Sequence, residues 1–206
     1  IQSFSPELFF RVDGREVTAR PMKGTTTRSV SMDEDEHLAA ALRSDEKNRA
    51  ENLMIVDLLR NDLSRVSEAG SVHVPELFTI EQYETVTQMT STIKAHLREE
   101  AQLSDVFRAL FPCGSVTGAP KIRAMEIIRD LETTPRGVYC GAIGYASPMG
   151  QVVFSVPIRT ISLKPTGREE YEGCLGVGSG VVWDSDAMAE YEECLLKARF
   201  LTDLLR

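Results

Sequence analysis

The 206-residue sequence predicts an α+β fold, with antiparallel strands grouped in blocks and helices set between them. Three observations carry this. Asp13-Gly14 separates two short apolar runs, 8–12 and 16–20, which is a hairpin signal. Stretches rich in Val, Thr, Ile and Tyr recur at 72–74, 77–83, 86–97, 137–146, 151–163 and 171–177. Between these blocks the apolar residues change to helical spacing, as at Leu53, Val56, Leu59 and Leu63.

In chain order, the hairpin is followed by 21–25, Pro-Met-Lys-Gly-Thr, which reads as a loop leaving the second strand. Acidic residues 33–36 suit the positive end of a helix dipole and open a first helix. Ser44 is a candidate cap for a second, longer helix. Ser104-Asp105 can cap a short helix that ends near Phe111. Residues 112–119 form a small-residue loop, and Pro120 suits the first turn of a helix reaching about Leu131. A glycine-rich turn at 176–180 precedes Val181-Val182-Trp183, and a last helix is expected over about 186–205.

Composition narrows the function classes. Hydrophobic residues make up 42% and charged residues 26%, as in a soluble globular protein. No apolar run is long enough to span a membrane, and the first residues lack the basic and apolar regions of a signal peptide. A net charge of −8 argues against nonspecific nucleic-acid binding but not against an anionic small substrate, since local cations or a bound metal can invert the sign of a pocket. Cys113, Cys140, Cys174 and Cys194 form no CxxC pair and read as reduced thiols of a cytoplasmic protein. His37, His73 and His96 have no zinc-like spacing.

Several residues can bear chemistry. Glu190 and Glu193 share a face of the last helix with Lys197. With Glu51 they would make a hard-oxygen site, although such a pattern taken alone is usually a solvated, salt-bridged helix face. Gly178-Ser179-Gly180 can offer backbone N–H groups to a carboxylate, or can be a bulge. The 114–121 loop lacks the Gly-Lys-Ser/Thr ending of a phosphate-binding loop, so a nucleotide site is rejected. Glu7 and Lys23 flank the hairpin, and a carboxylic acid beside an amine in a partly dry cleft is a natural acid and nucleophile pair.

Taken together, Ser5-Pro6-Glu7-Leu8-Phe9, Arg20-Pro21-Met22-Lys23-Gly24-Thr25, and the segments 49–62, 111–121, 139–145, 158–160 and 178–197 resemble the chorismate-binding enzyme family, in the family's order and from end to end. That family includes synthases that aminate chorismate at C2 or C4 and others that add water. The resemblance implies an antiparallel two-sheet sandwich with outer helices, of which this chain would be the C-terminal portion only. Residues 1–206 would form a chorismate-binding catalytic domain with the N-terminal part of the fold absent, leaving edge strands and part of the core open. The ending resembles forms that continue into a lyase domain.

The resemblance also implies roles. Glu51 and Glu193 would be direct Mg²⁺ ligands with Glu190 beside them, holding the ring carboxylate of chorismate. Tyr139 and Arg159 would bind the enolpyruvyl carboxylate, a group that suits an arginine fork. Gly178 and Gly180 would supply N–H groups, Lys197 a cation, and Thr117 part of the ring wall. Glu7 would protonate the departing 4-hydroxyl and Lys23 would attack C2. The lysine distinguishes the C4-aminating branch, where Pro-Ile-Lys-Gly-Thr stands at this place, from the C2-aminating branch with Pro-Ile-Ala-Gly-Thr. The implied reaction is a transferase step giving 4-amino-4-deoxychorismate for para-aminobenzoate and folate synthesis, with ammonia from a glutamine amidotransferase subunit. Amination at C2, addition of water, or an inactive fragment that binds chorismate or a partner are the alternatives.

Overall fold

The computed structural model describes residues 1–84 and 86–202. Two antiparallel sheets organise them. The larger is built around β6 (Val86–His96), which pairs on one side with β5 (His73–Gln82). On its other side it pairs with β3 (Glu16–Arg20) and then with β4 (Met22–Thr27), consecutive lengths of chain separated at Pro21. From β3 the sheet continues through β2 (Leu8–Asp13) and β8 (Val152–Ser155) to β7 (Ile143–Ala146). The smaller sheet has the order β1 (Gln2–Ser3), β9 (Thr160–Pro165), β10 (Tyr171–Leu175). The α+β class and the two antiparallel sheets are as expected.

Local chemistry explains most of the elements. Gly14 takes φ +59°, as the two-residue hairpin between β2 and β3 needs. α1 (Met32–Ser44) carries Asp33, Glu34 and Asp35 in its first turn. α2 (Glu46–Ser64) is capped by Asp45, whose side chain accepts from Asn48 N at 2.6 Å, not by Ser44. Ser44 is instead the last residue of α1 and donates back to the carbonyls of Ala40 and Ala41. α3 (Leu103–Leu110) begins with a capping box in which Gln102 is the cap and Asp105 the reciprocal acceptor. α4 (Gly114–Thr117) is one turn within the expected loop, α5 (Lys121–Leu131) follows Pro120, and α6 (Ala187–Thr202) ends the described chain. The expected last turn of α6, beyond Thr202, lies outside the described residues.

Three expectations are corrected. Residues 22–27 are a strand, because β6 supplies backbone partners from Thr90 to Val86 that no local pattern announces. Residues 137–142 are turn, with Gly137 and Cys140 both at φ +62°. The stretch 151–163 is two strands in different sheets. Arg159, at φ +48°, turns the chain from β8 to β9.

The core lies between the larger sheet and α2 and α3. Ile55, Val56, Leu59 and Leu63 make one stripe along α2, and Val106, Ala109 and Leu110 do the same on α3. Phe9 and Phe10 are consecutive in a strand yet both buried, which strict alternation forbids. A register shift between Leu8 and Phe10 in the β2–β8 pairing resolves this. The bulge turns both rings toward Phe107, at centroid distances of 6.3 Å and 5.2 Å. Among the described residues no helix is long and apolar enough to cross a membrane.

Because Phe10 is fully buried and edge-on to Phe107, Phe10→Ala should lower unfolding free energy by roughly 3–5 kcal/mol. Urea denaturation followed by far-UV circular dichroism checks this.

Candidate active site

Glu7 sits at the entry to β2, immediately before its first residue, Leu8. Its backbone is fixed on both sides: its N–H donates to Ser5 Oγ at 3.2 Å, and its carbonyl accepts from Val156 N at 3.1 Å. The side chain is buried, with Oε1 lacking a hydrogen-bond partner. Burial pushes its pKa up from 4.5 to about 7, partly opposed by a hydrogen bond from Ser115 and by the charge of Lys23. The carboxyl thus titrates near neutrality, where protonated and ionised forms coexist.

Lys23 projects from β4, half-buried, and the charge it exerts on Glu7 brings the two predicted reacting groups into one place. Gly24 makes this possible. It has φ +83°, and a Cβ there would stand 2.9 Å from Asn48 Cγ and from Leu42 Cδ1, so only glycine lets β4 lie this close to α1 and α2. Lys23 Nζ is 3.9 Å from where a Cβ of Gly180 would be. The strand-borne lysine therefore faces the predicted glycine turn.

That turn is packed on Tyr139. The Tyr139 ring occupies the space a Cβ on Gly176 would need, and its hydroxyl is 2.8 Å from a Cβ position on Gly178. Burial raises the Tyr139 phenol, which keeps it a hydrogen-bond donor. Thr117 shares a cleft of about 350 Å³ with Tyr139, walled also by Met125, Ile128 and Arg136. Thr117 itself donates to the Cys113 carbonyl at 3.1 Å. Arg159 is half-buried, and its carbonyl accepts from Phe4 N at 3.1 Å, joining β1 to the inter-sheet turn.

The acidic residues are arranged less tightly. Glu193 pairs with Lys197 at 2.6 Å, and Lys197 also donates to the Gly178 carbonyl at 2.9 Å, tying α6 to the glycine turn. Glu190 accepts from Ser185 Oγ at 2.6 Å, and its Oε2 is buried without a partner. Hydrogen bonds from Ser185 and Ser179 hold its carboxyl below the usual range, helped by the charges of Lys47 and Lys197. The charge of Lys47, in the first turn of α2, is thus felt at α6. Glu51 is half-buried one turn further along α2. Among the described residues no three His, Cys, Asp or Glu side chains form a metal-holding group. Mg²⁺ needs only one or two protein carboxylates with waters and substrate oxygens, and the unpartnered Glu190 oxygen is a hard donor of that kind.

Sequence reasoning missed Ser115, which contacts Glu7 from a point 108 residues later, and Ser185, Ser179 and Lys47 around Glu190. Of these, only the glycine loops that carry Ser115 and Ser179 left a signal in the sequence.

The pKa of Glu7 has a consequence for stability. The folded state binds this proton more tightly than the unfolded chain. The associated stability is fully present below pH 4.5 and is lost as pH rises through about 7, a loss of about 3 kcal/mol. Glu7→Gln should therefore be more stable than the parent by about that amount above pH 7, with the difference fading toward pH 4.5, as measured by urea midpoints across pH.

Comparison with known proteins identifies the family. The chain is 49% identical over 193 residues to aminodeoxychorismate synthase component 1 of Escherichia coli, covering 94% of this chain and 42% of that protein. It is 45% identical over 198 residues to anthranilate synthase component 1 of Methanothermobacter thermautotrophicus, covering 96% of this chain and 42% of that one. The crystal structure of anthranilate synthase component I from Streptococcus pneumoniae superposes with a TM-score of 0.80 at 39% identity, over 96% of this chain and 42% of that chain. The chain thus spans about two-fifths of the length of these relatives. The family model for chorismate binding enzymes matches residues 1–203, and the chain belongs to that family.

Proposed function

We propose that residues 1–206 form the catalytic domain of an enzyme that aminates chorismate at C4, giving 4-amino-4-deoxychorismate for para-aminobenzoate and folate synthesis. The observation that carries the reading is the pairing of a buried Glu7, whose proton affinity is raised by burial, with Lys23 facing Gly180. Similarity to a synthase of that name at 49% identity supports the choice of reaction.

In this reading Lys23 attacks C2 as a neutral amine. The ring double bonds shift, and the 4-hydroxyl takes the proton of Glu7 and leaves as water. Ammonia then adds at C4, the double bonds shift back, and the bond from C2 to lysine breaks. The proton that ammonia sheds returns to the Lys23–Glu7 pair. One difficult substitution becomes two easier ones. A carboxyl titrating near 7 is well matched to giving and regaining a proton at neutral pH.

Tyr139 and Arg159 would bind the enolpyruvyl carboxylate, and the backbone N–H groups of Gly178 and Gly180 the ring carboxylate. Thr117 would line the ring, and Lys197 would add positive charge while holding α6 to the turn. Mg²⁺ on Glu51, Glu190 and Glu193 would neutralise the ring carboxylate when bound. Ammonia would come from a glutamine amidotransferase subunit, a reading supported by the words "component 1" in the relative's name.

A second reading, amination at C2, is favoured by the 45% identity to an anthranilate synthase component 1. Incubation with chorismate, Mg²⁺ and ammonium, with chromatographic identification of products, separates the two. We expect 4-amino-4-deoxychorismate. Anthranilate would overturn the assignment of Lys23. Lys23→Ala should abolish C4 amination while chorismate still binds, and Glu7→Gln should slow it by about 10²–10⁴-fold.

A further inference from the structure

Helix α5 walls the cleft that holds Thr117 and Tyr139, through Met125 and Ile128. Yet none of its 11 residues is buried, and Ile122 and Leu131 are 77% and 75% exposed. Apolar packing therefore does little to fix this wall. Polar links at its two ends do the fixing. At the start, Lys121 donates to Asp62 at 2.5 Å and to the Leu110 carbonyl at 3.1 Å. At the end, Glu132 N donates to the Ile128 carbonyl at 2.9 Å, and the Glu132 carboxylate takes the fork of Arg136. Nε of Arg136 reaches Oε2 at 2.9 Å and Nη2 reaches Oε1 at 2.6 Å.

The mechanism above gives Arg136 no part, although it faces the same cleft. Its Nη1 donates to the Val116 carbonyl at 2.8 Å, one residue before Thr117 in the α4 turn. Its backbone carbonyl accepts from Tyr139 N at 3.1 Å. Gly137, at φ +62°, lets the chain double back between the two. Cys140 N donates to the Pro157 carbonyl at 3.2 Å and fastens the far side of the turn. One residue thus ties the end of α5, the turn bearing Thr117 and the turn bearing Tyr139. A planar guanidinium can hold a carboxylate and a carbonyl at a set angle, which a single ammonium cannot.

We propose that Arg136 is a positioning residue for chorismate: its guanidinium, clamped between the Glu132 carboxylate and the Val116 carbonyl, sets the separation of Thr117 and Tyr139 across the cleft. The proposal rests on the reading of Thr117 and Tyr139 as chorismate contacts. The chain between the two turns is α5, and its lack of buried side chains leaves the clamp to define their spacing. Both side chains of the ion pair are partly exposed, at 26% and 41%, so the pair adds little to global stability. Its effect falls on the geometry of the cleft, where a small misplacement is costly.

Arg136 could instead attract an anionic substrate by charge alone, and the two roles differ in sign at Glu132. Removing that carboxylate makes the cleft more positive, which strengthens binding by charge, but it releases the fork, which weakens binding by position.

The test is calorimetric titration with chorismate, Mg²⁺ present and ammonium absent, which reads the dissociation constant and the stoichiometry separately. Arg136→Ala should raise the dissociation constant about tenfold with the stoichiometry kept. Glu132→Ala should raise it about threefold. A merely structural role would lower the stoichiometry and leave the constant unmoved, and that result overturns the proposal. A constant that falls or stays in Glu132→Ala overturns it as well. Should Arg136→Ala fail to fold, Glu132→Ala decides alone. Tyr139→Phe is the reference. If Tyr139→Phe weakens binding and Arg136→Ala does not, the proposal fails and the reading of the cleft stands. If Tyr139→Phe leaves binding unchanged, the reading of the cleft fails and the proposal goes with it.

Discussion

The bulge in β2 is the constraint on which the remainder depends. A regular strand would send one of Phe9 and Phe10 to each face, and α3 would find half of its aromatic contact gone. With one residue out of step, both rings meet Phe107, and Phe10 also packs on Phe154 of the next strand. The sheet is thereby pinned to the helical layer at the point where the chain enters β2. Glu7 lies at that entry and inherits the dry surroundings of the cluster. Its raised proton affinity follows from burial at that entry.

The stabilising contacts are distributed unevenly. α2 buries a continuous stripe, whereas α6 shows Tyr191, Leu195 and Leu196 at half exposure or more, and Trp183 before it is almost fully exposed. α6 is tied down chiefly by polar links, through Lys197 to the glycine turn and through Glu190 to Ser185. Regions with few buried apolar contacts open at lower cost than the core. Glu190 and Glu193 therefore stand on a less anchored portion of the described chain than Glu51, Glu7 and Lys23 do.

Much of this was legible from sequence where chemistry is local. Asp13-Gly14 announced the hairpin, and the acids at 33–35 announced α1. Strand β4 was hidden because Pro21 precedes it, Gly24 punctuates it and its threonines alternate with nothing apolar; its identity comes from β6, whose partners lie about sixty residues away. The break at Arg159 was hidden because the residues on both sides favour strands equally. At the site, Glu7 and Lys23 were found through resemblance. Ser115 was not found, because a hydroxyl in a distant segment leaves no spacing to read. Backbone positions at positive φ, such as Cys140 and Arg159, hold strain that only the surrounding fold sustains, and such strain is invisible in composition.

The turn at 156–159 does more than change direction. Glu7 and Lys23 belong to the larger sheet, and the glycine turn with Tyr139 against it follows the end of the smaller one. The chain passes between the sheets within four residues, while Phe4 N on Arg159 O closes the same corner from the other end. The arrangement is that of a pair of tongs whose pivot is Arg159. The two sheets thus share one corner, closed by a single backbone hydrogen bond and a residue held at positive φ, and any substitution there bears on both at once.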